Sequence, residues 1–223
     1  MDNRGGIKAR RQAARDASSR IYRDRREEII RGAAAAFREL GFENATLTDV
    51  AERVGTDRAS LYYYVSNKEE LMQEIVRMAV KDNFLAARRI DARKAAPAQK
   101  IEMLIREMIE SFHRNYPYLY VYVEDMARIS RLDTEWSHDV QRTSRRFESI
   151  VMRILTQGQA DGTFRADVPV HLASLNLFGM INWTHRWYTP DSEYTPEEVI
   201  QSITEIFFRG HGGPALADSG TKK

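Results

Sequence analysis

The chain has 223 residues, 43% of them hydrophobic and 30% charged, with a net charge of +2, enough for one or two domains with a substantial core. It has no cysteine, which excludes disulfides and thiolate metal sites, and no apolar run approaching the ~18 residues of a membrane span. The N-terminus is charged and lacks the apolar stretch of a signal peptide, so a cytoplasmic location and no membrane partner are expected.

Charge is unevenly spread. Residues 1–26 carry Arg4, Lys8, Arg10, Arg11, Arg15, Arg20, Arg23, Arg25 and Arg26 against Asp2, Asp16 and Asp24, a net +6, which leaves −4 for the remainder. Residues 1–22 are read as a basic, flexible arm able to follow a nucleic-acid backbone or enter a minor groove.

The next segment, 23–68, carries three short helices. Ile29, Ala33, Ala36, Phe37 and Leu40 recur at spacings of three and four and share one face. Gly41 is suited to the left-handed conformation that closes this helix, with Phe42 folding back on it. Thr46 caps a second helix whose inward face is Val50, Ala51 and Val54, and Asp49 lies in its first turn. Gly55 permits a sharp turn, Asp57 caps a third helix ending near Val65, and Ser66 with Glu69 forms a capping box for a fourth. Two short helices joined by a tight turn have the layout of a helix-turn-helix, in which the last helix enters the major groove of DNA.

Side-chain chemistry supports that reading. Arg58 starts the third helix, where the dipole disfavours a cation by roughly 0.3–1 kcal/mol, and a phosphate or guanine edge opposite it would account for its presence. Ala59 and Ser60 are small enough for close approach, Tyr62 and Tyr63 can donate hydroxyls to phosphates, and Lys68 can pin the opposite backbone. Thr48 and Arg25 complete the candidate DNA contacts. Leu61, Tyr64 and Val65 read as core.

The run Gly55-Thr-Asp-Arg-Ala-Ser-Leu61-Tyr62-Tyr63-Tyr64-Val65-Ser-Asn-Lys68 resembles the motif of the tetracycline-repressor (TetR) family of bacterial regulators. It departs at Val65, where Phe is usual, and at Thr56, where a larger aliphatic residue is usual. The resemblance implies an all-α, nine-helix architecture: the helix-turn-helix domain, then a ligand-binding and dimerisation domain at 69–210. It also implies repression as the usual outcome.

The remaining helices follow in order. Leu71, Ile75, Met78 and Leu85 stripe a long fourth helix. Pro97 starts a fifth, with Ile101, Leu104, Ile105, Met108 and Phe112 inward. The aromatic, β-branched run after Pro117 reads as a strand by itself; the family pattern and its helical neighbours make it a sixth helix. Asp133 begins a seventh with the seam Trp136, Val140, Phe147, Ile150 and Ile154, ended by Gly162. The eighth, from Pro169 to Tyr188, is nearly apolar all round, which implies burial on two sides. Thr195-Pro196-Glu197-Glu198 starts a ninth, striped by Val199, Ile203, Ile206 and Phe207. The Gly-rich stretch 211–223 reads as a flexible tail.

The resemblance implies a homodimer through the last two helices, with Ala173 and Gly179 allowing close approach, and hence a palindromic double-stranded DNA operator with half-sites roughly 34–36 Å apart. It also implies a small-molecule cavity. Candidate lining groups are His113, Tyr116, Tyr122, Glu124, Asn176, Asn182, Trp183 and Trp187, alongside Tyr118, with Trp183, Trp187 and Tyr188 also readable as plain core. The Arg186-Trp187-Tyr188-Thr-Pro190 ending of the eighth helix is similar to regulators of fatty-acid and sterol-ring degradation, which makes a CoA thioester the expected effector. Arg186, Arg128, Arg131, Arg145 and Arg146 are candidate phosphate partners. The alternatives are an aromatic or cationic drug-like effector held by Glu124 or Asp125, and an architectural DNA binder without an effector. No catalytic residues, metal site or cofactor are expected. His113, His138, His171, His185 and His211 lack metal-ligand spacing, and no nucleophile elbow or phosphate loop is present.

Overall fold

The computed structural model describes residues 4–213, with side chains from 19 onward. The described residues form α1 (Arg4–Leu40), α2 (Leu47–Arg53), α3 (Arg58–Leu61), α4 (Lys68–Asp91), α5 (Pro97–Arg114), α6 (Tyr118–Ile129), α7 (Glu135–Ala160), α8 (Val170–Asn182) and α9 (Pro196–His211), with a 3-10 turn at Trp183–Arg186. Among them the only β pairing is an isolated bridge between Phe164 and Gly212. The all-α, nine-helix expectation holds. The aromatic run after Pro117 is α6, helical because Leu119, Val121 and Ile129 bury against helical neighbours and override its strand propensity.

Two compact units divide the chain, 1–75 and 76–223, with the division inside α4. In the first unit, Gly41 takes φ 75° and ends α1, and Phe42 packs edge-on to Phe37 at 5.2 Å. Thr46 and Asp49 cap α2 reciprocally, with Asp49 Oδ2 accepting from Thr46 N at 2.7 Å. Leu40, expected to face inward, is exposed.

Three boundaries differ from expectation. The basic arm is not separate from the first helix, which is already formed at Arg4. Its run of Lys, Ala, Arg and Gln favours helix, and no proline interrupts it; residues 1–3 of that arm lie outside the described residues. Helix α3 stops at Leu61, because Tyr63 and Tyr64 bond back to Ser60 and Leu61, three residues earlier, which tightens the chain into a turn. The cap of α4 is shifted by one residue. Asn67 Oδ1 accepts from Glu70 N, and Glu70 Oε2 accepts from Ser66 N, each at 2.8 Å.

In the second unit, α5 runs between α7 and α9, and its Ile101, Leu104, Ile105 and Ile109 are buried with Ile154, Leu155, Leu177 and Phe207. Thr134, one residue after Asp133, caps α7. The eighth helix breaks at Asn182 into the 3-10 turn, after which Tyr188 is fully buried. The start of the expected tail is tied down: Arg165 N donates to His211 O at 3.1 Å and Gly213 N to Thr163 O at 2.9 Å. The rest of that tail, 214–223, lies outside the described residues.

Candidate functional site

The first candidate surface is built on α2, α3 and the turn that follows. Thr48, Arg58, Ala59, Ser60, Tyr62 and Tyr63 are all exposed, Tyr63 at 75%. Asp57 accepts from Ser60 N at 2.8 Å and from its hydroxyl at 2.7 Å, and these bonds hold its carboxyl below the usual aspartate range. A fixed negative charge therefore caps α3, beside the cation of Arg58. The Arg58 guanidinium lies 5.6 Å over the Tyr62 ring and donates to its hydroxyl at 3.0 Å. Among the described residues Arg58 has no carboxylate partner, so its charge is available to an anion from outside.

Tyr22 joins this surface from α1. Its ring stacks on Tyr64 at 5.1 Å and meets Tyr63 edge-on at 5.9 Å. Sequence reasoning missed it; its only signal was an aromatic residue inside a run of charges.

Two expected DNA contacts are turned inward. Lys68 donates to the backbone carbonyls of Phe42, Glu43 and Ala45 at 2.9, 2.9 and 3.2 Å, so all three ammonium protons are engaged. Arg25 donates to Val54 O at 3.0 Å and pairs with Glu28 at 2.5 Å. Both fasten α1, α2 and α4 to one another.

The second candidate site is a cavity of about 440 Å³ inside the 76–223 unit, walled by α4 to α8 and the 3-10 turn. Its wall is mainly apolar, with Val80, Met108, Phe112, Phe147, Phe178 and Ile181, and it carries a few polar groups. Of the expected lining residues, Tyr122 and Asn182 are in the wall. Tyr122 Oη bonds Ser144 Oγ at 3.1 Å, and burial pushes its phenol upward, so it stays neutral. Arg145, a candidate phosphate partner, lines it too, as do Asn83, Gln141 and Ser144, which sequence reasoning missed.

The other expected ligand residues are not in that wall. His113 Nδ1 faces the Tyr188 hydroxyl at 2.8 Å, and Tyr116 packs against Phe112 at 5.9 Å. Glu124 meets His185 Nε2 at 3.1 Å and Arg186 at 3.4 Å. Asn176 lies 3.5 Å from His211 Nε2. Trp183 and Trp187, weighed as core or ligand contacts, are 63% and 47% exposed. Both follow the end of α8 at Asn182, off the buried stripe of Ala173, Leu177 and Ile181 that Thr184 and Tyr188 continue. Leu172, Leu175, Gly179 and Trp183 recur at helical spacing on the outer face of α8, and Ile206, expected inward, is 60% exposed on α9. Ala173 belongs to the inner core instead of this outer face. Among the described residues no cluster of acidic or histidine side chains could hold a metal, and no helix is long and apolar enough to cross a membrane.

Comparisons with known proteins agree with this arrangement. Residues 29–75 match the family model of bacterial regulatory proteins of the tetR family, and residues 94–211 match the tetracyclin repressor-like C-terminal domain. The chain is 26% identical over 186 residues to the HTH-type transcriptional repressor KstR2 of Mycolicibacterium smegmatis, covering 83% of this chain and 90% of the relative. It is 23% identical to the fatty acid metabolism regulator protein of Bacillus subtilis, covering 82% and 93%. The solved ketosteroid transcriptional regulator KstR2 of Mycobacterium tuberculosis superposes with a TM-score of 0.79 at 26% identity, over 84% of this chain and 95% of that one. AibR, solved with isovaleryl coenzyme A and operator DNA, shares the fold with a TM-score of 0.71 at 20% identity, over 82% and 97%. The chain belongs to the tetR family of bacterial transcription regulators, with a DNA-binding helix-turn-helix at its N-terminal end.

Proposed function

We propose that this regulator is a repressor that binds a palindromic operator as a homodimer and is released by a small anionic effector, of the acyl-CoA thioester class. The reading unit contacts DNA through Thr48, Arg58, Ala59, Ser60, Tyr62 and Tyr63, with Tyr22 beside them. Lys68 and Arg25 support this surface from behind. The observation that carries the effector reading is the cavity, apolar and about 440 Å³, with the exposed cation Arg145 in its wall. That volume suits a fused-ring or medium-chain acyl body and is too small for a whole CoA thioester, whose phosphates would stay outside, near Arg145 and Arg146. The relatives' names point the same way: one is a ketosteroid regulator and another a fatty acid metabolism regulator. A cationic effector is disfavoured, because Glu124 is engaged by His185 and Arg186, Asp125 by Arg128 at 2.7 Å, and Glu148 in the cavity wall faces His171 at 3.5 Å.

Helix α4 contributes to both units, with Lys68 at its start in one and Asn83 in the cavity wall of the other. Effector binding that favours one setting of α4 would change operator affinity by a coupling free energy of typically about 1–3 kcal/mol. The test is fluorescence anisotropy on the protein's own upstream DNA, titrated with CoA thioesters and the matching free acids. Salt-dependent binding released by a thioester is the expected result; binding that no thioester disturbs would reject that effector class.

A further inference from the structure

Asn83 Oδ1 is buried and has no hydrogen-bond partner in the protein, yet it belongs to the wall of an otherwise apolar cavity. A buried acceptor left unmatched is costly, and an apolar side chain of similar size would avoid that cost. Other polar groups of the wall are already engaged: Tyr122 with Ser144 at 3.1 Å, Thr184 Oγ1 with Ile181 O at 2.7 Å, and Glu148 with His171 at 3.5 Å. Arg145 is the opposite case: exposed, in the same wall, with no carboxylate partner among the described residues. One apolar cavity thus holds a buried neutral acceptor and an exposed cation.

We propose that Asn83 is a specificity-determining residue of the effector cavity: its Oδ1 accepts from a neutral donor, a hydroxyl or amide N–H, carried by the apolar body of an anionic ligand whose charge lies at Arg145. This assignment rests on reading the cavity as the effector site. It adds a requirement the effector class alone does not contain, namely that a neutral polar donor sits on the apolar body of the ligand. A fully saturated hydrocarbon tail would leave Oδ1 unmatched and bind less well. A site built to hydrogen-bond a donor rejects the analogue that lacks it more strongly than an apolar pocket rejects an extra methylene.

The probes are ω-hydroxy fatty acids and their unsubstituted parents, from octanoate to tetradecanoate, titrated into the full-length protein by calorimetry. The wild type is expected to prefer at least one ω-hydroxy acid over its parent by about tenfold. Asn83→Leu is expected to abolish that preference while binding the parent acid as well as or better than before. Arg145→Gln is expected to weaken both members of a pair and leave their ratio intact. In the ligand-free state Asn83→Leu is expected to melt no lower than the wild type, because the amide serves the ligand and not the fold. A preference that survives Asn83→Leu, a wild type that prefers or binds only the parents, absence of binding to any pair, or a marked loss of melting temperature in Asn83→Leu would each overturn the assignment. The operator-release titration is independent of these acids. Thioesters that release DNA while Asn83→Leu keeps the preference would leave the effector reading standing and remove only Asn83.

Discussion

Lys68 and Arg58 lie ten positions apart in one motif, and their surroundings give them different work. The carbonyls that hold the Lys68 ammonium follow the C-terminal end of α1, where unpaired carbonyls and the helix dipole both favour a cation, and the Phe42 ring adds a face at 4.7 Å. Replacing it removes three hydrogen bonds at once. Lys68→Met is therefore expected to destabilise the reading unit by about 2–3 kcal/mol, measured by urea unfolding. Arg58→Ala is expected to leave unfolding unchanged and to cost about 1–3 kcal/mol in operator affinity. If Lys68→Met unfolds like the wild type and only its DNA affinity falls, Lys68 is a phosphate contact after all. The sequence identifies both residues as important because a cation is conspicuous at either helix start. It cannot say which way each points, since the three carbonyls come from 23 to 26 residues away.

At the scale of elements, most helix limits are legible because caps are local. Thr46 with Asp49 and Thr195 with Glu198 each close a reciprocal pair within four residues, and Pro97 and Pro196 mark first turns. What is not legible depends on distant packing. The strand-like run of α6 becomes helical because the core accepts its buried face, and past Asn182 Trp183 and Trp187 are exposed while Tyr188 is buried. The cavity wall draws residues from five helices and the 3-10 turn, so Asn83 and Ser144 carry no local signal of belonging together. One close approach was equally hidden. A Cβ on Gly158 of α7 would lie 2.2 and 2.5 Å from carbons of the Phe164 ring and 3.1 Å from Pro97 Cβ. The ring is itself buried and stacks on Phe208 at 5.9 Å, so it has little room to yield. Alanine gains about 1 kcal/mol in helix propensity there. Overpacking of a tight core costs about 1–3 kcal/mol and is expected to win. Gly158→Ala should melt below the wild type, and a higher melting temperature would mean that the Phe164 ring moves freely.

At the scale of the molecule, the outer faces of α8 and α9 are the clearest unfinished surface. Leu172 and Leu175 of α8 at 49% and 48% exposure, Trp183 of the 3-10 turn at 63% and Ile206 of α9 at 60% are exposed apolar side chains, whereas other faces of both helices are already core. Single exposed apolar residues need no explanation, but Leu172, Leu175 and Trp183 recur at helical spacing, and we propose that this stripe, with Ile206, is the dimer surface. A two-fold dimer uses such a patch against itself, so each residue is counted twice across the interface. Gly179 lies in this stripe with nothing within 4 Å of where its Cβ would be, which leaves space for a partner helix to come close. A charge placed on both helices would be repeated in the partner and desolvated on association. Leu172→Glu combined with Ile206→Glu is therefore expected to give a monomer by sedimentation velocity. Its melting temperature should fall only by what the dimer contributes, because neither residue belongs to the subunit core. The same variant should lose most of its affinity for a full palindrome while still contacting a single half-site weakly, since Arg58 and its neighbours are untouched. A double variant that sediments as a dimer would move the interface elsewhere on the 76–223 unit.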